Sequence, residues 1–244
     1  MNPIDICLVS GCRPLLLEQT LESFCGKLID RITIGRVIAN IDLFGGGEEE
    51  RHECESLILA RFPLAEILKP TEPSFTLAVK SIWQRTSAPI VLHMEDDWLL
   101  LEEIDLHEVI PMLDEKTRAV KFLSKEHNQD IRRKGFFDVG YVRKKFFGIT
   151  WHKEPYHRHG TAPGFFDGEF VRGWASRMDL SLDPEKQARP FTNPRLFDYV
   201  SQYQCRLLPG KSQSELIFDI GRAWRDERGI VKRLVDGRSI WNKI

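Results

Sequence analysis

The first half of the chain alternates short apolar runs with segments of helical period, and that order constrains it to repeated βα units around a largely parallel sheet. Ile4 to Val9 is the first apolar run; it ends at Ser10-Gly11-Cys12-Arg13-Pro14, where glycine and proline punctuate a turn. Leu17, Leu21, Phe24, Cys25 and Leu28 then recur on one helical face, which must cover the sheet. Ile32 to Ile41 reads as a second strand. It stops at Asp42-Leu43-Phe44 and Gly45-Gly46-Gly47, and Glu48, Glu49 and Glu50 supply the negative charge favoured in a helix's first turn. Ala65 to Leu68 is a third short strand, and Ser74 is an N-cap for a helix striped by Phe75, Ala78, Val79, Ile82 and Trp83. Pro89 to Met94 is a buried strand that runs straight into Glu95-Asp96-Asp97-Trp98. Leu106, Val109, Ile110 and Leu113 predict another helix, and Ala119 to Leu123 another strand.

Past this point the period fades. From Asn128 to Arg195 glycine, proline, histidine, arginine and aromatics follow no sustained spacing, which predicts an irregular region over the edge or mouth of the sheet. Leu196 to Leu207 reads as helical, Leu216 to Trp224 as a last strand ending near Gly221, and the basic tail from Arg225 as adding little to the core. With no repeat or linker, the 244 residues read as a single domain with a first half, 1–125, and a second half, 126–244.

Composition removes several classes. Thirty-five Lys and Arg against 36 Asp and Glu leave a net charge of −1, so no nucleic-acid partner is expected from the overall charge balance. The five cysteines are scattered without a C-x-x-C pair, which argues for reduced thiols rather than disulfides or a zinc knuckle. No stretch approaches the roughly 20 apolar residues of a membrane helix, so the expectation is a cytoplasmic protein, with peripheral contact to the inner face of a membrane left open.

The Glu95-Asp96-Asp97 junction is the most informative site. Successive carboxylates at the end of a buried strand repel one another and resist burial unless a cation or a solvated crevice offsets them. In open α/β sheets ligands collect at the carboxyl ends of the strands, and oxygen ligands suit Mg²⁺ or Mn²⁺ shared with phosphates. The alternative is a solvated strand-to-helix turn.

The order of elements, with Glu95-Asp96-Asp97 as an acidic D-x-D-like motif, resembles a GT-A fold glycosyltransferase of the family 2 type. The likeness is good through Leu123 and weaker beyond. It implies an α/β nucleotide-binding fold, a mostly parallel sheet flanked by helices, and an irregular C-terminal acceptor region. It implies a nucleotide-diphosphate sugar as donor, a carbohydrate or other hydroxyl as acceptor, and Mn²⁺ or Mg²⁺ as cofactor. Val9, Ser10, Arg13 and Asp42 map to the nucleotide site together with Glu95 and Asp96; Asp97 and Glu95 map to the metal. Phe218-Asp219-Ile220-Gly221 stands where many relatives carry His-Ile-Gly, which makes Asp219 a candidate third ligand or a strand-end carboxylate paired with Arg222 or Arg225.

Inverting transfer needs a carboxylate to take the acceptor's proton. The candidates are Glu215, preferred because Asn193 to Phe197 resembles an acceptor-side segment, and Asp167 or Glu169 in Gly164-Phe165-Phe166-Asp167-Gly168-Glu169. Each of the three also reads as a plain surface or turn residue. A sugar nucleotidyltransferase is the competing enzyme class, although Ser10 to Pro14 is a poor version of its glycine-rich basic loop; a non-catalytic nucleotide- or carbohydrate-binding module is the third reading.

Other signals carry less. His152, His157 and His159 with Glu154 lack a metal spacing, and no G-K-[S/T] follows Gly45-Gly46-Gly47. Arg132, Arg133, Lys134, Arg143, Lys144 and Lys145 interleave with Phe136, Phe137, Phe146 and Phe147, a pattern that suits single-stranded nucleic acid or anionic lipid, or else a solvated face with aromatic anchors underneath. Trp151, Trp174 and Phe165 are candidates for stacking on sugars.

Overall fold

A computed structural model of the protein describes residues 2–125, 131, 134–147 and 149–243. Arg132 and Arg133 of the first basic run lie outside the described residues. The first half alternates as its pattern requires: β1 (Ile4–Ser10), α1 (Pro14–Lys27), β2 (Ile34–Ile41), α2 (Glu48–Arg61), β3 (Glu66–Leu68), α3 (Phe75–Gln84) and β4 (Ile90–Glu95). Short elements follow, β5 (Trp98–Leu100) and α4 (Leu106–Val109), and then β6 (Thr117–Phe122). The second half contains β7 (Val139–Phe146), β8 (Ile149–His157), β9 (Gly164–Asp167), α5 (Gly168–Arg177), α6 (Pro194–Val200) and β10 (Gln204–Leu208). It ends with β11 (Ile217–Asp219), α7 (Gly221–Glu227), β12 (Ile230–Val235) and β13 (Arg238–Lys243).

Seven strands form the central sheet in the order β10-β6-β9-β4-β1-β2-β3. All its pairings are parallel except those of β9, which runs antiparallel to both β4 and β6. Strand alternation divides the core into two layers. Ile4, Ile6 and Leu8 of β1 face a cluster with Leu17, Leu21 and Phe24 of α1 and Cys54 and Ile58 of α2. Cys7 and Val9 face the other way, toward Val79, Ile82 and Trp83 of α3 and Phe170 and Trp174 of α5. Buried Asp5 ties the base of the sheet, accepting from the backbone amides of Arg36 at 2.7 Å, Ser87 at 2.6 Å and Ala88 at 2.9 Å. Ser74 caps α3 through its Oγ, which accepts from Leu77 N at 3.2 Å.

The second half departs from expectation. The region from 128 to 195 was expected to be irregular, yet it inserts β9 into the middle of the sheet. Gly164 makes that possible, because a Cβ there would overlap the backbone of Val120 and Lys121 on β6. The predicted helix over 196–207 ends at Val200, and Cys205 and Leu207 belong to β10 instead. The last strand covers only Ile217–Asp219 before α7 begins. The basic tail is ordered into the β12–β13 hairpin, whose Gly237 carbonyl accepts from Asp183 N at 2.8 Å. Trp174 and Phe165 are fully buried core residues and offer no face to a sugar. Among the described residues no helix is long and apolar enough to cross a membrane.

Candidate active site

Parallel register brings the candidate residues to one edge. Val9 of β1 pairs with Glu95 of β4, and Ser10 with Ile41 of β2, so the loops leaving all three strands meet at their carboxyl ends. A cleft of about 1150 Å³ opens there, and its lining includes Val9, Arg13, Asp42, Glu95, Asp96, Asp97 and Asp219.

Within the acidic triplet each residue has a different environment. Asp96 is fully buried; it accepts from Ser10 Oγ at 2.9 Å and Gly11 N at 2.8 Å, and pairs with Arg13. It therefore anchors the β1 loop to the end of β4, and Ser10 turns inward to serve it rather than a ligand. Asp97 Oδ2 meets Arg13 Nη1 at 3.0 Å and Arg225 Nη1 at 3.2 Å, and Arg225 Nη2 reaches Asp219 Oδ2 at 3.3 Å. Arg13 lies between the rings of Phe44 and Trp224, at 5.7 and 5.5 Å from their centroids. Asp97 packs so closely on Gly221 that a Cβ there would overlap the carboxylate. Its Oδ1 is buried with no hydrogen-bond partner among the described residues.

Glu95 sits beside buried His93. The Trp83 indole donates to His93 Nδ1 at 3.1 Å, so the imidazole proton resides on Nε2, which faces Glu95 Oε1 at 3.8 Å. Burial pushes His93 down to about 3, leaving it neutral. Burial, with the charges of Asp97 and Glu185, pushes Glu95 well above the carboxylate range. Asp42, also buried, is pushed up to about 6, although Phe44 N donates to it at 3.1 Å.

Sequence reasoning missed other residues of the cleft lining. Lys121 of β6 is buried against Asp138 at 2.9 Å, and Arg158 Nη2 meets the other oxygen of Asp138 at 2.8 Å. Burial opposes the charge on Lys121, but Asp138 outweighs it and holds the amine above its usual range. Glu185, in the loop between α5 and α6, enters the same cleft; its Oε1 accepts from Thr161 N at 3.2 Å and Oγ1 at 3.4 Å. Lys232 of β12 pins that loop through Asp183 at 3.0 Å. These residues carry no motif, since they come from five separate segments that only the sheet brings together.

The three expected bases lie outside the cleft lining, Glu169 exposed on α5. Asp167 pairs in register with Ile90, at the opposite end of β4 from Glu95. There it caps α5 by accepting from Phe170 N at 2.8 Å and pairs with Arg118 at 2.7 Å. Glu215 precedes β11 outside the cleft lining, with Oε2 buried and unpartnered among the described residues. His159 lines the cleft, but His152 is exposed on β8, and no group of three or more His, Cys, Asp or Glu is arranged as a metal site among the described residues. Asp97 and Asp219 fit a looser role: hard dications are commonly held by one or two carboxylates plus substrate phosphates, and the orphaned Asp97 Oδ1 is a donor of that kind.

A parallel sheet with one inserted antiparallel strand and an acidic cleft at its carboxyl edge define this as a GT-A fold. It matches a mannosyltransferase from Pyrobaculum calidifontis, solved with GDP-Man and Mn²⁺, at TM-score 0.57 and 11% identity over 93% of this chain and 61% of that one. It also matches GalNAc-T7, solved with UDP, GalNAc and Mn²⁺, at TM-score 0.54 and 10% identity over 88% of this chain and 45% of that one. The chain thus spans less than two thirds of the length of either. No protein-family model matches the sequence, and no curated protein matches it.

Proposed function

We propose that this protein is a glycosyltransferase that moves a sugar from a nucleotide-diphosphate donor to an acceptor hydroxyl with inversion at the sugar carbon. The observation that carries the reading is Asp97, a buried carboxylate with one oxygen unpartnered, set between Arg13 and Arg225 at the mouth of β1 and β4. Val9 and Asp42 line the cleft where the nucleoside would sit, and Arg222 and Arg225 bring positive charge to the diphosphate. Asp97 and Asp219 are the residues to hold Mn²⁺ or Mg²⁺, which when bound supplies Lewis-acid stabilisation of the leaving diphosphate. Glu95 lines the same cleft two residues from Asp97, facing His93 Nε2 at 3.8 Å, and is a further oxygen donor beside them.

For the base, Glu185 is the strongest candidate. It lines the cleft with Glu95 and is oriented by Thr161, whereas Glu215 and Asp167 do not line it. A carboxylate held there can accept the proton of an acceptor hydroxyl as the new bond forms.

The test is a thermal-shift screen of UDP, GDP, CDP and dTDP, each with and without Mn²⁺, because a ligand that binds only the folded state raises its stability. The expected result is a shift with one diphosphate that is larger with Mn²⁺. The absence of a shift with all four would turn the reading to a non-catalytic module.

The raised Asp42 adds a pH dependence. Its folded-state value of about 6 exceeds the unfolded one, so ionised Asp42 costs stability above that pH and the cost is relieved as pH falls toward the unfolded value. Nucleotide affinity runs the other way. Protonation removes an acceptor for the ribose hydroxyls, so binding of the active diphosphate is expected to weaken by about tenfold per unit below the folded value. Calorimetric titration across this range measures it, and Asp42→Asn should flatten the profile.

A further inference from the structure

The hairpin formed by β7 and β8 takes no part in the cleft chemistry. Its base is fixed to the body by Tyr156, whose ring meets Phe197 at 5.5 Å between centroids, and by His157 against Phe137 at 5.9 Å. Beyond that base it is exposed: Tyr141 is 46%, Phe146 67%, Phe147 89% and Trp151 68% accessible. The expected face with aromatic anchors underneath forms in part: Phe136 packs on the Leu123, Ile131 and Leu207 cluster and Phe137 on His157, whereas the aromatics of the hairpin itself are exposed. A two-stranded hairpin without a surface to pack on is only marginally stable in water.

Charge and shape say what kind of surface fits. Residues 139–157 carry four Lys and Arg against one Glu in a chain whose net charge is −1, so this hairpin is a positive island on an otherwise acidic protein. The Glu, Glu154, is already paired with Lys144 at 2.8 Å, while Arg143 and Lys153 are exposed side by side in register across the two strands. At the tip Phe146 and Phe147 pack edge to face, with centroids 4.6 Å apart at 78°. That arrangement makes a compact apolar wedge rather than the flat stacking platform that bases of a single-stranded nucleic acid require. An apolar wedge with an aromatic behind it and basic residues on its flanks matches the boundary between anionic headgroups and acyl chains.

We propose that the β7–β8 hairpin is a membrane-docking element that inserts Phe146 and Phe147 into an anionic lipid surface, with Arg143 and Lys153 against the headgroups and Trp151 at the interface. The proposal is independent of the assigned chemistry and holds whether or not a nucleotide binds.

Co-sedimentation of the 244-residue chain with two kinds of vesicle tests it, one of phosphatidylcholine alone and one with an equal part of phosphatidylglycerol. The expected result is binding to the mixed vesicles that is about tenfold tighter than to phosphatidylcholine and weakens with added salt. Phe146→Ser with Phe147→Ser, and separately Arg143→Glu with Lys153→Glu, should each reduce it by about tenfold or more. Both pairs are exposed, so their unfolding temperatures should match the parent and exclude misfolding as the cause. Wild-type protein left in the supernatant with mixed vesicles, or a phenylalanine variant that sediments like the parent, would overturn the proposal. So would displacement of the vesicles by a single-stranded oligonucleotide, which would mark the hairpin as a nucleic-acid surface.

Discussion

Asp97→Asn is expected to lower turnover by about 10²–10³-fold in protein kept well below its unfolding temperature, which should itself fall because the half-buried Arg225 and buried Arg13 each lose a carboxylate partner. The amide keeps the shape that packs on Gly221 but lacks the charge that pairs with Arg13 and Arg225 and the second anionic oxygen offered to a cation. The Mn²⁺-dependent part of the thermal shift with the active diphosphate should vanish in the same variant. Glu185→Gln separates the other half of the chemistry. It should retain the diphosphate affinity and lower kcat by about 10²–10⁴-fold, the range for losing a general base. If Glu185→Gln turned over normally and Glu215→Gln did not, the base would have to be reassigned to the segment before β11.

The second large effect is on stability. Arg13→Ala should cost about 3–5 kcal/mol, because Asp96 is fully buried and Arg13 is the cation that pairs with it. For a chain of this size that corresponds to a fall in Tm of about 10 °C, readable by calorimetry. Arg13→Lys should recover only part of the loss, since an ammonium keeps the charge but neither the fork to Asp96 and Asp97 nor the planar group between Phe44 and Trp224. The Arg13→Ala deficit should also shrink in acid, because burial raises Asp96 and protonation removes the uncompensated charge. A Tm within about 2 °C of the parent at neutral pH would show that Ser10 and Gly11 alone suffice to hold Asp96.

These two residues also show where the sequence was informative. The expectation that three adjacent carboxylates at a strand end require a cation or a solvated crevice came from their charge alone; in the fold Arg13 and Arg225 pair with Asp96 and Asp97, while Glu95 faces the cleft beside His93. The particular roles were not legible. Asp96 and Ser10 were both expected at the nucleotide; in the fold they satisfy each other at 2.9 Å, an arrangement that depends on the register of β1 against β4. Asp167 and Glu169 are candidates for the base as carboxylates of the second half, with a turn cap as the alternative, and Asp167 takes the alternative by capping α5. Gly164 and the phenylalanines that precede Asp167 are the signature of a short strand squeezed between β4 and β6.

The sequence by itself determined the elements whose evidence is local. Short apolar runs and period-3.6 stripes predicted β1 through β4 and the helices between them, because each pattern is written in neighbours a few residues apart and burial of those neighbours enforces it. Only the tertiary structure decided the antiparallel insertion of β9, the pairing of Lys121 with Asp138 and Arg158, and the arrival of Glu185 and Arg225 in the cleft. The physical reason is separation along the chain. Arg225 meets Asp97 across 128 positions, and no local spacing encodes such a contact; it exists because the sheet, closing around its core, leaves one edge where those segments converge.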